Sequence, residues 1–131
     1  MPFTYHHRVR CHEIDSQGFM YNSRYLEVAD AAMTEFFRCH GFPVDDLTRS
    51  GFEASVVKAE IDYKLPAQLD EVIDVEVTCT RVGRSSYDLH YDLSRDGRVI
   101  AAIRLVHVNV DAAKAKSRPI PDAIAAILKR P

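Results

Sequence analysis

A carboxylate stands shortly before the predicted start of a long helix. Asp15 follows an alternating, strand-like stretch, and a turn containing Gly18 separates it from helical spacing that begins near Ser23. We therefore expect the Asp15 carboxylate to lie beside the helix N-terminus, where backbone N–H groups have no partners within the helix. A general base or a nucleophile beside donors that can stabilise an oxyanion is the minimum that an acyl-transfer site requires. The structural alternative is a turn or capping residue, which is the commoner role of an Asp before Ser and Gly.

The elements that must position Asp15 follow from the hydrophobic periodicity, since alternation indicates strands and 3.6-residue spacing indicates helices. Asn22 or Ser23 can cap the long helix, Gly41 is expected to end it, and Asp96-Gly97 predicts a tight hairpin. The predicted elements are a strand at 5–13, a helix at 23–39, a loop at 43–50, strands at 57–63, 73–80, 87–93 and 99–110, and a short terminal helix at 122–129.

One long helix with roughly five antiparallel strands predicts an α+β domain. The last strand, 99–110, has apolar side chains on both faces, but a single helix covers only one face of the sheet. We expect a second copy of the chain to cover the other face, because soluble monomers seldom expose large apolar patches. Homo-oligomerisation is therefore predicted.

The composition excludes several classes of protein. The 131 residues fit one domain, 1–131, and the 17 basic and 19 acidic side chains form no polybasic block that would indicate nucleic-acid binding. No apolar run reaches the roughly 18 residues of a membrane span, and no signal peptide is recognised, so a cytoplasmic location is expected. Three dispersed cysteines are expected to be small buried residues rather than a disulfide framework. His6 and His12 share one face of the predicted strand while His7 and Cys11 share the other, which argues against a metal site.

The stretch from Glu13 to Leu26 carries a family pattern. Its matches to E-x-D-x-x-G-x-v-x-n-x-x-Y-l are Glu13, Asp15, Gly18, Met20, Asn22, Tyr25 and Leu26. This pattern resembles the signature of hotdog-fold thioesterases of the 4-hydroxybenzoyl-CoA thioesterase type, close to the YbgC-like acyl-CoA thioesterases. The likeness continues through 61–67, 83–86 and 118–121 and so covers nearly the whole chain. It implies the hotdog topology, in which the sheet curls around the central helix, and assembly into dimers or tetramers of dimers.

The resemblance implies an acyl-CoA thioesterase that needs no cofactor, with Asp15 as the catalytic carboxylate. Asp15 would activate water as a general base or attack the thioester carbonyl as a nucleophile. The backbone N–H of Asn22, or of a neighbour, would stabilise the oxyanion. YbgC-like proteins often have a histidine at the position of Asn22, so no role for an imidazole is carried over to this chain. Gly18 and Tyr25 are expected at the substrate, although Tyr25 is equally well explained as a core residue.

A CoA thioester also carries phosphates. Arg81, Arg84, Ser85 and Ser86, around Gly83, are the candidates to bind them, and a solvated hairpin is the alternative. Two other functions stay open at this point: hydrolysis of acyl-carrier-protein thioesters, and a non-catalytic acyl-CoA-binding domain.

Overall fold

The computed structural model describes residues 3–130, and their elements match most of the predicted order. The helices are α1 (Arg24–Cys39), α2 (Val44–Arg49) and α3 (Asp122–Leu128). The strands are β1 (Phe3–Arg8), β2 (Ala54–Tyr63), β3 (Val72–Val82), β4 (Ser86–Arg95), β5 (Arg98–Asp111) and β6 (Lys116–Ser117). The five long strands pair antiparallel in the order β1-β3-β4-β5-β2, and β6 pairs with the end of β5. The predicted α+β arrangement is confirmed.

Helix α1 lies against the inner face of the sheet because one of its sides is apolar. Its buried residues include Val28, Ala32 and Phe37, and the Phe37 ring meets the Tyr87 ring of β4 edge-on at 6.5 Å. Ser23 occupies the N-cap position, as predicted, but its side chain makes no capping hydrogen bond. Gly41 follows the helix with a φ of 89°, a left-handed conformation that favours glycine.

Two predicted boundaries are wrong. Strand β1 ends at Arg8, and the chain then enters a 3-10 turn (Cys11–Glu13) that the Glu13 N–H closes by donating to the Arg10 carbonyl at 3.0 Å. Asp15 therefore follows a turn rather than a strand. The predicted loop at 43–50 contains helix α2, which buries Leu47.

The outer face of the sheet carries a charged cluster beside the half-buried apolar residues Ala102, Val106 and Val108 of β5, and its coverage by a second copy stays a prediction. Asp88 on β4 is 2% exposed and forms ion pairs with Arg81 of β3 at 2.8 Å and with Arg104 of β5 at 2.9 Å. Burial raises the pKa of the Asp88 carboxyl, but the hydrogen bonds from the two guanidinium groups outweigh it and leave the pKa lowered. The apolar side chains of β5 on this face therefore lie beside charged neighbours.

Strand β2 is an open edge within the part of the chain described here. Its pairing partner is β5, and most of its residues are exposed, with Val56 at 54% and Val57 at 60%. The register shifts between Val56 and Lys58, which marks a bulge at Val57. None of the helices in residues 3–130 is long and apolar enough to cross a bilayer. The predicted burial of the cysteines is wrong for Cys11 and Cys39, which are exposed.

Candidate active site

A cleft of about 340 Å³ opens between the loop that carries Asp15, the start of α1 and the end of β2. Three predicted site residues meet in it: Asp15, Asn22 and Tyr25. The full lining is Asp15, Gln17, Phe19, Met20, Asn22, Tyr25, Tyr63, Lys64, Leu65 and Pro66. The lining comes from two segments, 15–25 and 63–66, that are far apart in the sequence, so the sheet and not the local turn alone forms the cleft.

The Asp15 loop is a tight reversal in which Asp15 serves both as a turn residue and as part of the cleft. The Asp15 N–H donates to the Phe19 carbonyl at 2.9 Å, and the Gln17 N–H donates to Oδ1 of Asp15 at 2.8 Å. Gly18 supports the turn with a φ of 80°, and it lies outside the cleft lining. Within residues 3–130 no donor lies on Oδ2 of Asp15, so the structural role uses one oxygen and leaves the other free.

Asn22, which directly precedes the N-cap of α1, lines the same cleft and has an unpartnered backbone N–H. The Tyr21 N–H donates to the Glu13 carbonyl at 2.8 Å, and the Arg24 N–H donates to the Tyr21 carbonyl at 2.9 Å. The Asn22 N–H, between these two, has no acceptor among the described residues. The carbonyl of Asn22 accepts a hydrogen bond from the Tyr63 hydroxyl at 2.8 Å. The residue with this unpartnered N–H and the residue with the free carboxylate oxygen therefore both line the cleft.

Two tyrosine rings form a wall of the cleft. Tyr25 is 3% exposed, and its ring meets the Tyr63 ring edge-on with centroids 5.1 Å apart. Burial raises the pKa of Tyr25, against a smaller lowering by the backbone of Ala67. Tyr25 is thus a core residue that also lines the cleft, and its contact with a substrate stays a prediction. Tyr63 was not predicted as a site residue, although its place at the end of an alternating strand was visible in the sequence.

The predicted phosphate-binding residues lie at the other end of the sheet. Strand β4 runs from Ser86 to Arg95, and Arg95 donates to the carbonyl of Pro66 in the cleft wall at 2.9 Å. Nine residues of strand separate Ser86 from that point, roughly 30 Å at ~3.3 Å per residue. Within one chain the structure does not bring this hairpin to Asp15.

Local contacts already engage part of the hairpin. The Arg81 guanidinium donates to Asp88 and to the Ser86 hydroxyl, the latter at 2.9 Å. The carbonyls of Arg84 and Ser85 accept backbone hydrogen bonds from Ile120 at 2.8 Å and from Asn109 at 2.7 Å, while the Arg84 side chain is exposed. Both arginines are exposed, but the Arg81 guanidinium is engaged, whereas the Arg84 guanidinium has no hydrogen-bond or ion-pair partner among residues 3–130.

The histidines of β1 bind carboxylates of this chain. His6 contacts Asp74 at 2.7 Å on the outer face, and His7 contacts Glu13 at 2.9 Å on the inner side. Within residues 3–130, no group of three or more His, Cys, Asp or Glu side chains is arranged to hold a metal ion.

Comparison with known proteins identifies the family. The model of the thioesterase-like superfamily matches residues 9–128. A protein of Aquifex aeolicus with the provisional name of an esterase is 30% identical over 129 residues, which cover 98% of this chain and 99% of that protein. The acyl-CoA thioester hydrolase YbgC of Escherichia coli is 27% identical over 124 residues, covering 94% of this chain and 92% of that protein.

Solved structures agree on the fold. A hypothetical protein of Aquifex aeolicus superimposes with a TM-score of 0.92 at 29% identity, covering 98% of this chain and 100% of that one. A 1,4-dihydroxy-2-naphthoyl-CoA thioesterase of Synechocystis gives a TM-score of 0.88 at 21% identity, covering 98% and 96%. The fold and the site thus define a hotdog-fold thioester hydrolase. The chain belongs to the thioesterase-like superfamily, and the predicted family, fold and enzyme class are confirmed.

Proposed function

We propose that this chain hydrolyses acyl-CoA thioesters to a free acid and CoA, with Asp15 as its catalytic carboxylate. The observation that carries the proposal is that one cleft is lined by both Asp15, whose Oδ2 is free, and Asn22, whose N–H is unpartnered among residues 3–130. Relatives named acyl-CoA thioester hydrolase YbgC and acyl-CoA thioesterase YbgC support CoA as the carrier.

The two groups have complementary roles. Oδ2 of Asp15 removes a proton from the attacking water, or attacks the thioester carbonyl itself to give a mixed anhydride that water then cleaves. The Asn22 N–H, at the positive end of α1, stabilises the oxyanion that forms in either route. A thiol with a pKa near ~8.5 leaves readily as thiolate, so the site needs no strong acid at the leaving group.

The replacement Asp15→Asn tests the catalytic carboxylate directly. It keeps an oxygen that can accept the turn hydrogen bond from Gln17, so the loop should fold, but it removes the base. We expect turnover to fall by ~10²- to 10⁴-fold, the usual scale for a positioned acid–base group. Thiol release from short, long and aromatic acyl-CoAs gives the measurement, and Asp62→Asn on the neighbouring exposed strand is the matched control. A folded Asp15→Asn protein with near wild-type turnover would contradict the proposal.

The same panel separates the remaining alternatives. Turnover of a carrier-protein thioester but not of the matching CoA ester would replace CoA with acyl-carrier protein as the substrate. Tight binding of acyl-CoA without turnover by the wild-type protein would indicate a binding domain.

We further propose that two copies pair through strand β2. Its exposed edge has the free N–H and C=O groups that pair with another strand, and Val56 and Val57 add exposed apolar surface. A two-fold axis makes identical strands antiparallel, so the Ala54 end of one β2 lies by the Tyr63 end of the other. The Arg84 hairpin of one copy, two strands or ~10 Å from its own β2 edge, then approaches the Asp15 cleft of the other.

Mixed assemblies test this arrangement. Sedimentation equilibrium at micromolar concentration should show at least a dimer. Mixing Asp15→Asn subunits with Arg81→Ala/Arg84→Ala subunits should restore part of the activity, because one site of each mixed dimer combines an intact Asp15 with intact arginines. A fully active monomer, or verified mixed dimers without any gain in activity, would refute a shared site while leaving the role of Asp15 untouched.

A further inference from the structure

A buried hydrogen-bonded pair formed by His7 and Glu13 lies behind the Asp15 loop, outside the cleft. Only 16% of the His7 side chain and 6% of the Glu13 side chain are exposed. Nε2 of His7 lies 2.9 Å and 3.0 Å from the two carboxylate oxygens of Glu13. The Arg10 N–H donates to the same carboxylate at 2.6 Å. The Glu13 side chain is therefore held from strand β1 and from the turn that follows it.

The backbone of Glu13 connects this pair to both groups of the proposed chemistry. Its carbonyl accepts the Tyr21 N–H at 2.8 Å, and Tyr21 directly precedes Asn22. The next residue, Ile14, forms an isolated bridge across the base of the loop that contains Asp15. A displacement of Glu13 would consequently shift the carboxylate of Asp15 and the N–H of Asn22 relative to each other.

We propose that His7 and Glu13 are positioning residues that set the geometry between Asp15 and Asn22. The inference rests on the proposed function of Asp15. A role in stability alone explains the pair poorly, because apolar residues of similar volume often stabilise a protein as well as a buried polar or charged pair does. Catalytic groups instead need neighbours that lock them in place, and a misplacement of ~1 Å can cost ~100-fold in rate.

Replacement of Glu13 separates positioning from stability. Glu13→Leu fills the site with an apolar side chain and removes the anchor for both His7 and the Arg10 N–H. We expect its melting temperature to stay close to that of the wild type, while kcat falls by about 10- to 100-fold and KM changes by less than about twofold. Glu13→Gln retains an acceptor for Arg10 and should lose less kcat than Glu13→Leu, which is the rescue that a positioning role predicts.

Histidine variants provide the partner test and its control. His7→Gln should lower kcat without a matching rise in KM, and combining it with Glu13→Gln should cost no more than the larger single loss, because the two act as a unit. His6→Gln is the matched control. His6 is the neighbouring residue on β1, and its pair with Asp74 is exposed, at 67% and 46% of the two side chains. This control should keep wild-type kcat, since exposed ion pairs contribute little.

The outcomes are separable from those of the proposed function. If Asp15→Asn is inactive while folded Glu13→Leu, Glu13→Gln and His7→Gln proteins turn over at the wild-type rate, the positioning role is overturned and Asp15 catalysis stands. A loss confined to KM would also overturn it. If Glu13→Leu does not fold, a wild-type kcat in Glu13→Gln and His7→Gln still decides against the proposal. Undiminished turnover by Asp15→Asn would instead remove the proposed function itself.

Discussion

His107 is a titratable side chain buried in the inner layer of the sheet, and it should make stability depend on pH. The residue is 2% exposed, and its ring stacks on the Tyr87 ring with centroids 4.8 Å apart and planes 11° apart. Neither ring nitrogen has a hydrogen-bond partner within residues 3–130. Burial lowers the pKa of His107 to about 4, and the opposing attraction of the Asp88 charge is smaller.

The direction of the effect follows from the two pKa values. In the unfolded chain His107 takes up a proton below its ordinary pKa of ~6.5, whereas in the folded protein it stays neutral until about pH 4. The unfolded state therefore binds more protons between these limits, and stability falls as the pH falls. From pH 7 to pH 5 this residue alone should remove about 2 kcal/mol from the free energy of unfolding.

The variant His107→Phe isolates this contribution. Phenylalanine keeps a flat ring against Tyr87 but does not titrate, so the variant should lose about 2 kcal/mol less than the wild type between pH 7 and pH 5. Urea unfolding at both pH values, followed by far-UV circular dichroism, gives the change in the free energy of unfolding for each protein. The contributions of the carboxylates, which both proteins share, cancel when the two changes are subtracted. His90→Gln, at a partly exposed position, is the control and should follow the wild type. Identical pH dependence in His107→Phe and wild type would refute the reasoning.

Three further changes test the site. Arg84→Ala, alone or with Arg81→Ala, should raise KM for CoA esters by about 2- to 5-fold and leave pantetheine esters unaffected; equal effects on both substrates would argue against phosphate binding. Tyr63→Phe removes the hydroxyl that holds the Asn22 carbonyl and should lower kcat about fivefold in the thiol-release assay, a prediction that an unchanged kcat contradicts. Gly18→Ala should lower the free energy of unfolding, measured in urea, by about 1 kcal/mol. The cause is the φ of 80°, since an added methyl group would meet no neighbouring atom.

The sequence predicted the long elements well because each repeats its pattern over many residues. Helix α1 and strands β2 to β5 show periods of 3.6 and 2 over ten residues or more. Helix α2 has six residues and one buried side chain, Leu47, so it has no repeating pattern to detect. The alternation at 5–13 continued past the true end of β1, since the 3-10 turn happens to follow the same polar and apolar order.

The site was predictable where its residues are close in sequence and not where the sheet brings them together. Asp15 and Asn22 share one loop, so their presence in one cleft follows from a short turn and a helix start. Tyr63 reaches Asn22 from 41 residues away, and no local pattern marks such a contact. The charged cluster on the outer face was missed for the same reason. Arg104 pairs directly with His90 and reaches Asp88 diagonally, and only strand pairing brings these residues together.

The separation of Asp15 from the Arg84 hairpin constrains how a CoA ester can bind. Among residues 3–130 of one chain, Lys64 is the one cationic side chain in the cleft lining. The hairpin arginines lie at the far end of the sheet. A nucleotide bound by Lys64 would need no second subunit. A nucleotide bound by Arg84 requires a neighbouring copy whose strands run in the opposite direction, which is the orientation that two-fold pairing through β2 produces. Two independent features therefore support the same assembly. The open edge of β2 supports it because its backbone groups are unpaired, and the hairpin supports it because its arginines could bind the phosphates of a CoA ester held by the other copy.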